Sequence, residues 1–111
     1  CGAGAAIAYL LGEKQSPAEL YRQVADTITN TIATVGGMVC DGAKSSCAAK
    51  IASAVDAALM AYQMACAGKQ FRGGEGIVKK GVENTIASVG RLGKDGMKQT
   101  DEEILKIMIE C

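Results

Sequence analysis

Five cysteines carry the reactive potential of this sequence: Cys1, Cys40, Cys47, Cys66 and Cys111. Cys40 and Cys47 share the string Cys40-Asp41-Gly42-Ala43-Lys44-Ser45-Ser46-Cys47. An Asp-Gly pair reverses a chain readily, and Ser45-Ser46 reads as a helix start. Both sulfurs can therefore face one metal site. Cys47 would lie near a helix N-terminus, where unpaired N–H groups and the dipole favour a thiolate or an anionic cluster. The spacing lacks the C-x2-C knuckle of a structural zinc site, and two inert thiols remain the competing reading. The odd cysteine count, with no basic and apolar leader, argues against structural disulfides and puts metal binding or plain burial first. Histidine is absent altogether. Ser-His-Asp catalysis, Cys-His catalysis and mixed Cys/His zinc sites are thereby excluded within these residues.

The elements that must position the thiols are helical, and no stretch alternates strictly enough for a strand. Gly2 to Leu11 is small and apolar and ends at Gly12. Ser16-Pro17-Ala18-Glu19 combines an N-cap, a first-position proline and a capping-box glutamate. Leu20, Val24, Ile28, Ile32 and Val35 then form one stripe, stopped by Gly36-Gly37. A second stripe runs through Ile51, Val55, Leu59, Tyr62 and Cys66, and a further helix is expected from Ile77 to Leu92. Thr100 is expected to cap a last helix, with Asp101, Glu102 and Glu103 in its first turn. Gly73-Gly74-Glu75-Gly76 reads as a hinge, since neither the preceding strand nor the spacing of a phosphate loop is present.

An internal repeat organises these helices. Asn30–Cys47 (NTIATVGGMVCDGAKSSC) aligns without gaps on Asn84–Asp101 (NTIASVGRLGKDGMKQTD), with nine of eighteen positions identical. Each copy reads as a helix end, a glycine stop, an Asp-Gly turn and a capped helix. The expected fold is an all-α helical bundle, one domain over residues 1–111, with an internally duplicated helix–loop–helix unit. Cys40 and Cys47 become Lys94 and Asp101 in the second copy, so the thiols read as a site added to one half. Asp41-Gly42 and Lys44 recur as Asp95-Gly96 and Lys98, which favours structural roles for them.

Cys40-Asp-Gly-Ala-Lys-Ser-Ser-Cys47, the opening CGAGAA of Cys1–Ala6 and the closing TIASVG, DGM and TDEEIL strings together resemble a known family. They are similar to the carboxyl-terminal part of the serine dehydratase α-chain-like family, and within it to the L-cysteine desulfidase branch. The resemblance covers essentially the whole chain, although members of that family are several times longer. It implies an oxygen-sensitive [4Fe-4S] lyase that removes the β-substituent of a small amino acid, giving pyruvate and ammonia with sulfide or water. Three cysteines hold the cluster in that family, and they match Cys1, Cys40 and Cys47. Its general base lies upstream, so no catalytic base is expected among these residues and this piece alone is expected to be inactive.

Several features read more plainly. Cys66 lies nineteen residues after Cys47 on one helix, roughly 28 Å along the axis. It is expected to be a core thiol, and Cys111 an exposed one. Asp56, an acid on an otherwise apolar helix, would need a partner if buried. The formal net charge is zero, which argues against a nucleic-acid partner. The stretch from Ile51 to Gly68 approaches membrane-span length, but its alanine content favours a buried helix. A start at Cys1 rather than Met suggests a piece of a longer, cytoplasmic protein. The expected partners are the rest of that parent, a small amino-acid substrate and further copies in a homo-oligomer. The alternative is a non-enzymatic helical interaction module with incidental cysteines.

Overall fold

The computed structural model describes residues 1–40 and 42–110, so the expectations for Asp41 and Cys111 lie outside the described residues. The fold is all-α, and no strand occurs among the described residues. Among the described residues five α-helices follow in order: α1 (Gly2–Leu11), α2 (Pro17–Val35), α3 (Ser45–Cys66), α4 (Val82–Arg91) and α5 (Lys98–Glu110). A π-helical turn, Leu92–Gly96, lies between the last two. No helix among the described residues is long and apolar enough to cross a membrane.

Local chemistry sets the helix ends. Ser16 Oγ accepts from the Glu19 N–H at 3.3 Å, and Pro17 opens α2. The reciprocal half of the capping box does not form. The Glu19 carboxylate instead takes both Nε and Nη2 of Arg22, at 3.0 and 2.6 Å, while Nη1 reaches Asp26 at 2.7 Å. Gly12 and Gly36 close α1 and α2, their N–H groups donating to Ala8 and Ile32. α4 begins five residues later than expected, because Ile77–Gly81 is loop and Gly81 has φ +88°. α5 begins at Lys98, which puts Thr100 inside the helix.

Small residues make the core. α2 packs against α3 and α1, and α1 crosses both at Gly4. A Cβ at Gly4 would stand 3.0 Å from Ala58 Cβ and 3.1 Å from Thr27 Cγ2. Such an approach leaves room for alanine and threonine only. Ala8, Ala58, Ala61, Ala65, Thr27 and Thr31 are all buried there, and each threonine hydroxyl donates to the carbonyl four residues back. The large apolar stripe expected to form the core of α3 faces outward: Ile51 is 66% exposed, Leu59 40% and Val55 39%. The stripe of α2 is only half-buried apart from Ile32. The radius of gyration is 15.7 Å and the extents are 54 × 28 × 17 Å. A compact domain of this length would have a radius near ~13 Å, so the fold is open and elongated.

Asn30 ties the loop after α3 to this core. Fully buried, it donates to the carbonyls of Ala61 (3.3 Å) and Lys69 (3.1 Å) and accepts from the Phe71 N–H (3.0 Å). The expected hinge at Gly73–Gly76 is a bonded turn, with Gly74 N–H donating to Val78 O and Val78 N–H to Glu75 O.

The two repeat copies agree in their helices and part in their loops. Thr31 and Thr85 are both buried, with hydroxyls donating to Thr27 O and Gly81 O, and Thr34 and Ser88 likewise donate four residues back. Gly36-Gly37 then ends α2, whereas the second copy reads Gly90-Arg91. One glycine followed by helix formers does not stop a helix. The chain runs on through the π turn, closed by Met97 N–H to Leu92 O at 3.0 Å. Gly42 has φ +109°, and Gly96 stays outside the left-handed region. Both copies thus keep a helix, a connection and a second helix, and the connections differ in detail.

Candidate functional site

The connection between α2 and α3 builds the site. After the Gly36-Gly37 stop, residues 38–40 run without helical structure to Cys40. Gly42 (φ +109°) and Ala43 (φ +53°) are both left-handed. This costs a non-glycine residue about 1 kcal/mol or more. Lys44 is the cap position of α3: its carbonyl accepts from Cys47 N–H at 2.9 Å, and its own side chain makes no cap hydrogen bond. Met108 of α5 leans on the same loop, since a Cβ at Gly42 would fall 2.4 Å from its Cε.

These turns bring the Cys40 and Cys47 sulfurs to 3.4 Å. Cys40 is exposed and Cys47 half-buried. They line a groove of about 280 Å³ with Val35, Met38, Val39, Lys50, Ile51 and Ala54. Its walls are apolar apart from the thiols and Lys50. Sequence reasoning passed over Lys50 as a groove residue, although its place three residues after Cys47 sets both on one helix face.

Cys1 caps α1 through its backbone, its carbonyl accepting from Ala5 N–H at 2.9 Å. Its exposed thiol borders a second apolar groove, with Ile28, Ile32, Ile86 and Val89. Ile32 lies one turn before Val35, so Cys1 shares the C-terminal end of α2 with the thiol pair, on a neighbouring groove. Among the described residues no three Cys, Asp or Glu side chains are grouped so as to hold one metal ion. A cluster asks for a different arrangement, since each thiolate binds its own iron. The donor set is soft sulfur beside apolar walls, which suits iron–sulfur ligation.

The other singled-out residues lie elsewhere. Cys66 ends α3 and is exposed rather than in the core, because α3 turns its alanine face inward. The Cys66 side chain hydrogen-bonds the Tyr62 hydroxyl, and with partial burial this pushes the tyrosine up from its usual range. Asp56 is exposed, so water solvates it. Lys44 is exposed at the helix cap. The Arg22 hydrogen bonds hold Glu19 below the usual carboxylate range, while burial pushes Asp26 up in spite of Arg22.

An open all-α scaffold with a thiol pair at the start of its longest helix defines a cysteine-bearing helical module. Its residues 1–106 match the family model described as serine dehydratase alpha chain, and the chain belongs to that family. It is 59% identical over 109 residues to the UPF0597 protein DSY1109 of Desulfitobacterium hafniense, covering 98% of this chain and 24% of the relative. A UPF0597 protein of Lachnoclostridium phytofermentans is 55% identical over 108 residues, covering 97% and 24%. One from Aeromonas hydrophila is 43% identical over 107 residues, covering 96% and 23%. The chain thus spans about a quarter of the length of the curated relatives it matches. No solved structure matches it.

Proposed function

We propose that this chain is the cluster-binding part of an iron–sulfur amino-acid lyase of the L-serine dehydratase or L-cysteine desulfidase type. The observation that carries the reading is that Cys40 and Cys47 line one groove at the start of α3, in a chain of the serine dehydratase α-chain family. Cys40 and Cys47 would hold the cluster, and Cys1, at the same end of α2, would be the third ligand. A [4Fe-4S] cluster held by three thiolates supplies an iron with an open position, a Lewis acid for the substrate's carboxylate or leaving group. Val35, Met38, Val39 and Ile51 give the groove apolar walls, and Lys50 places a cation at the groove where an anionic substrate approaches. The left-handed Gly42-Ala43 turn fixes Cys40 against α3.

The base that removes the α-proton belongs to the parent outside these residues, so the piece alone is inactive. Loss of the β-hydroxyl or β-thiol then leaves an enamine, which hydrolyses to pyruvate and ammonia. The remaining partners are the rest of the parent and further copies of it, in the cytoplasm. The outward stripe of α3 equally favours a helical interaction module whose cysteines are incidental, and the test separates the two. Anaerobic reconstitution with ferrous iron and sulfide is expected to give a broad visible absorbance and near four irons per chain. Cys40→Ser and Cys47→Ser should abolish it, and Cys1→Ser should weaken it. A reduced chain that retains no iron would refute the cluster and leave the interaction module.

A further inference from the structure

Cys40 and Cys47 have a second chemistry that needs no metal. We infer that they form a reversible intramolecular disulfide, making this loop an oxidative modification site whose oxidised form cannot serve as a cluster site. Formation of the bond stands on the sulfur geometry alone; its competition with the cluster rests on the proposed function.

The sulfurs are already 3.4 Å apart, and a disulfide needs about 2.05 Å. The missing approach is small and falls on a mobile class of atoms. Cys40 lies outside any helix and is exposed, so rotation about its side-chain bonds moves its sulfur without disturbing a packed element. Cys47 is fixed in the first turn of α3 and offers a defined target. The other described thiols are placed elsewhere. Cys66 stands at the far end of α3, and Cys1 borders a different groove.

The oxidant is a small-molecule disulfide, glutathione disulfide being the representative. One thiolate of the pair attacks a glutathione sulfur, breaking its S–S bond and releasing one glutathione thiolate. The second cysteine thiolate attacks the cysteine sulfur of that mixed disulfide and releases the second glutathione. The two cysteines together lose two protons and two electrons, and one glutathione disulfide becomes two glutathione thiols. Exposure of Cys40 admits the oxidant, and proximity makes the second step intramolecular.

The test equilibrates the metal-free chain in glutathione buffers from reducing to oxidising, traps thiols with N-ethylmaleimide and maps the peptides by mass spectrometry. The expected product is lighter by two hydrogens, with Cys40 and Cys47 unlabelled and joined, and reverts on adding excess reduced glutathione. Cys40→Ser should instead leave a glutathione adduct on Cys47. Wild-type chain that keeps both residues labelled, or ends only as mixed adducts, overturns the proposal. The same exposure of iron-reconstituted chain should give no Cys40–Cys47 disulfide until iron is released. A disulfide formed with all iron retained would refute the competition. A chain that takes up no iron but forms the disulfide would sink the cluster reading and leave the disulfide standing.

Discussion

Replacing Asn30 by alanine should detach the loop that follows α3. The side chain is fully buried and makes three hydrogen bonds, to Ala61 O, Lys69 O and Phe71 N–H. Ala61 O belongs to the interior of α3 and keeps its helical partner, so its loss is small. Lys69 O and Phe71 N–H have no such reserve. Each orphaned backbone group costs about 1–3 kcal/mol where it stays buried. The chain therefore loses about 2–6 kcal/mol, less whatever opening the loop to water recovers. That is a large share of the roughly 5–15 kcal/mol available to a folded domain. Urea unfolding followed by circular dichroism gives the loss, and hydrogen exchange at the Phe71 amide locates it. The internal control is Asn84→Ala at the equivalent repeat position. Asn84 is exposed and, among the described residues, donates to Lys80 O just before α4, so its loss should stay within about 0.5 kcal/mol. Equal effects at the two asparagines, or undiminished Phe71 protection in Asn30→Ala, would refute the assignment of Asn30 as the tie.

Gly42→Ala should destabilise the thiol loop by about 1–2 kcal/mol, because φ is +109° and Met108 occupies the space a Cβ would enter. Iron uptake should fall with it, whereas Gly96→Ala, outside the left-handed region, should leave uptake unchanged in a parallel iron assay. Asp26→Asn should raise the midpoint of thermal unfolding at pH 7, since burial pushes this carboxyl up and its ionised form is the disfavoured one. The sign follows from linkage: the wild type carries the cost above the raised folded pKa and is relieved of it as pH falls through that value. The difference between variant and wild type should therefore shrink on acidification, and a difference that grows would contradict it.

Local signals were the legible part of this fold. Gly12, Ser16-Pro17 and Gly36-Gly37 mark three helix ends because each acts through its own backbone or the next turn. The side chain of Glu19 was not legible, since Arg22 three residues on offered a stronger partner than the cap. Periodicity found the apolar stripe of α3 but assigned it the wrong side. Large residues usually face inward, yet three helices meeting at Gly4, Thr27 and Ala58 leave room only for small ones. The repeat was legible through its helices, and the detail of its connections was not, where Gly37 of the first copy stands against Arg91 of the second. The approach of Cys40 to Cys47 was accessible from spacing and the Gly42 turn. Lys50 and Met108 were not singled out beside the thiols, because one needed the face of α3 and the other a contact between distant segments.

The outward stripe and the thiol groove meet at one residue, and that junction links stability to site chemistry. Ile51 lines the groove beside Cys40 and Cys47 and is also the first large side chain of the exposed α3 stripe, followed by Val55 and Leu59. Burying such a side chain completely stabilises by about 1.5–3 kcal/mol. Covering the exposed parts of these three would contribute several kcal/mol, comparable with the margin on which a domain this open must rely. A segment of the parent laid along the stripe would reach Ile51 and wall the groove in the same movement. Water would leave the thiols as the core gained the area that its alanines do not supply. The thin core and the open groove thus share one physical origin: α3 packs its small face on α1 and α2 and leaves its large face exposed.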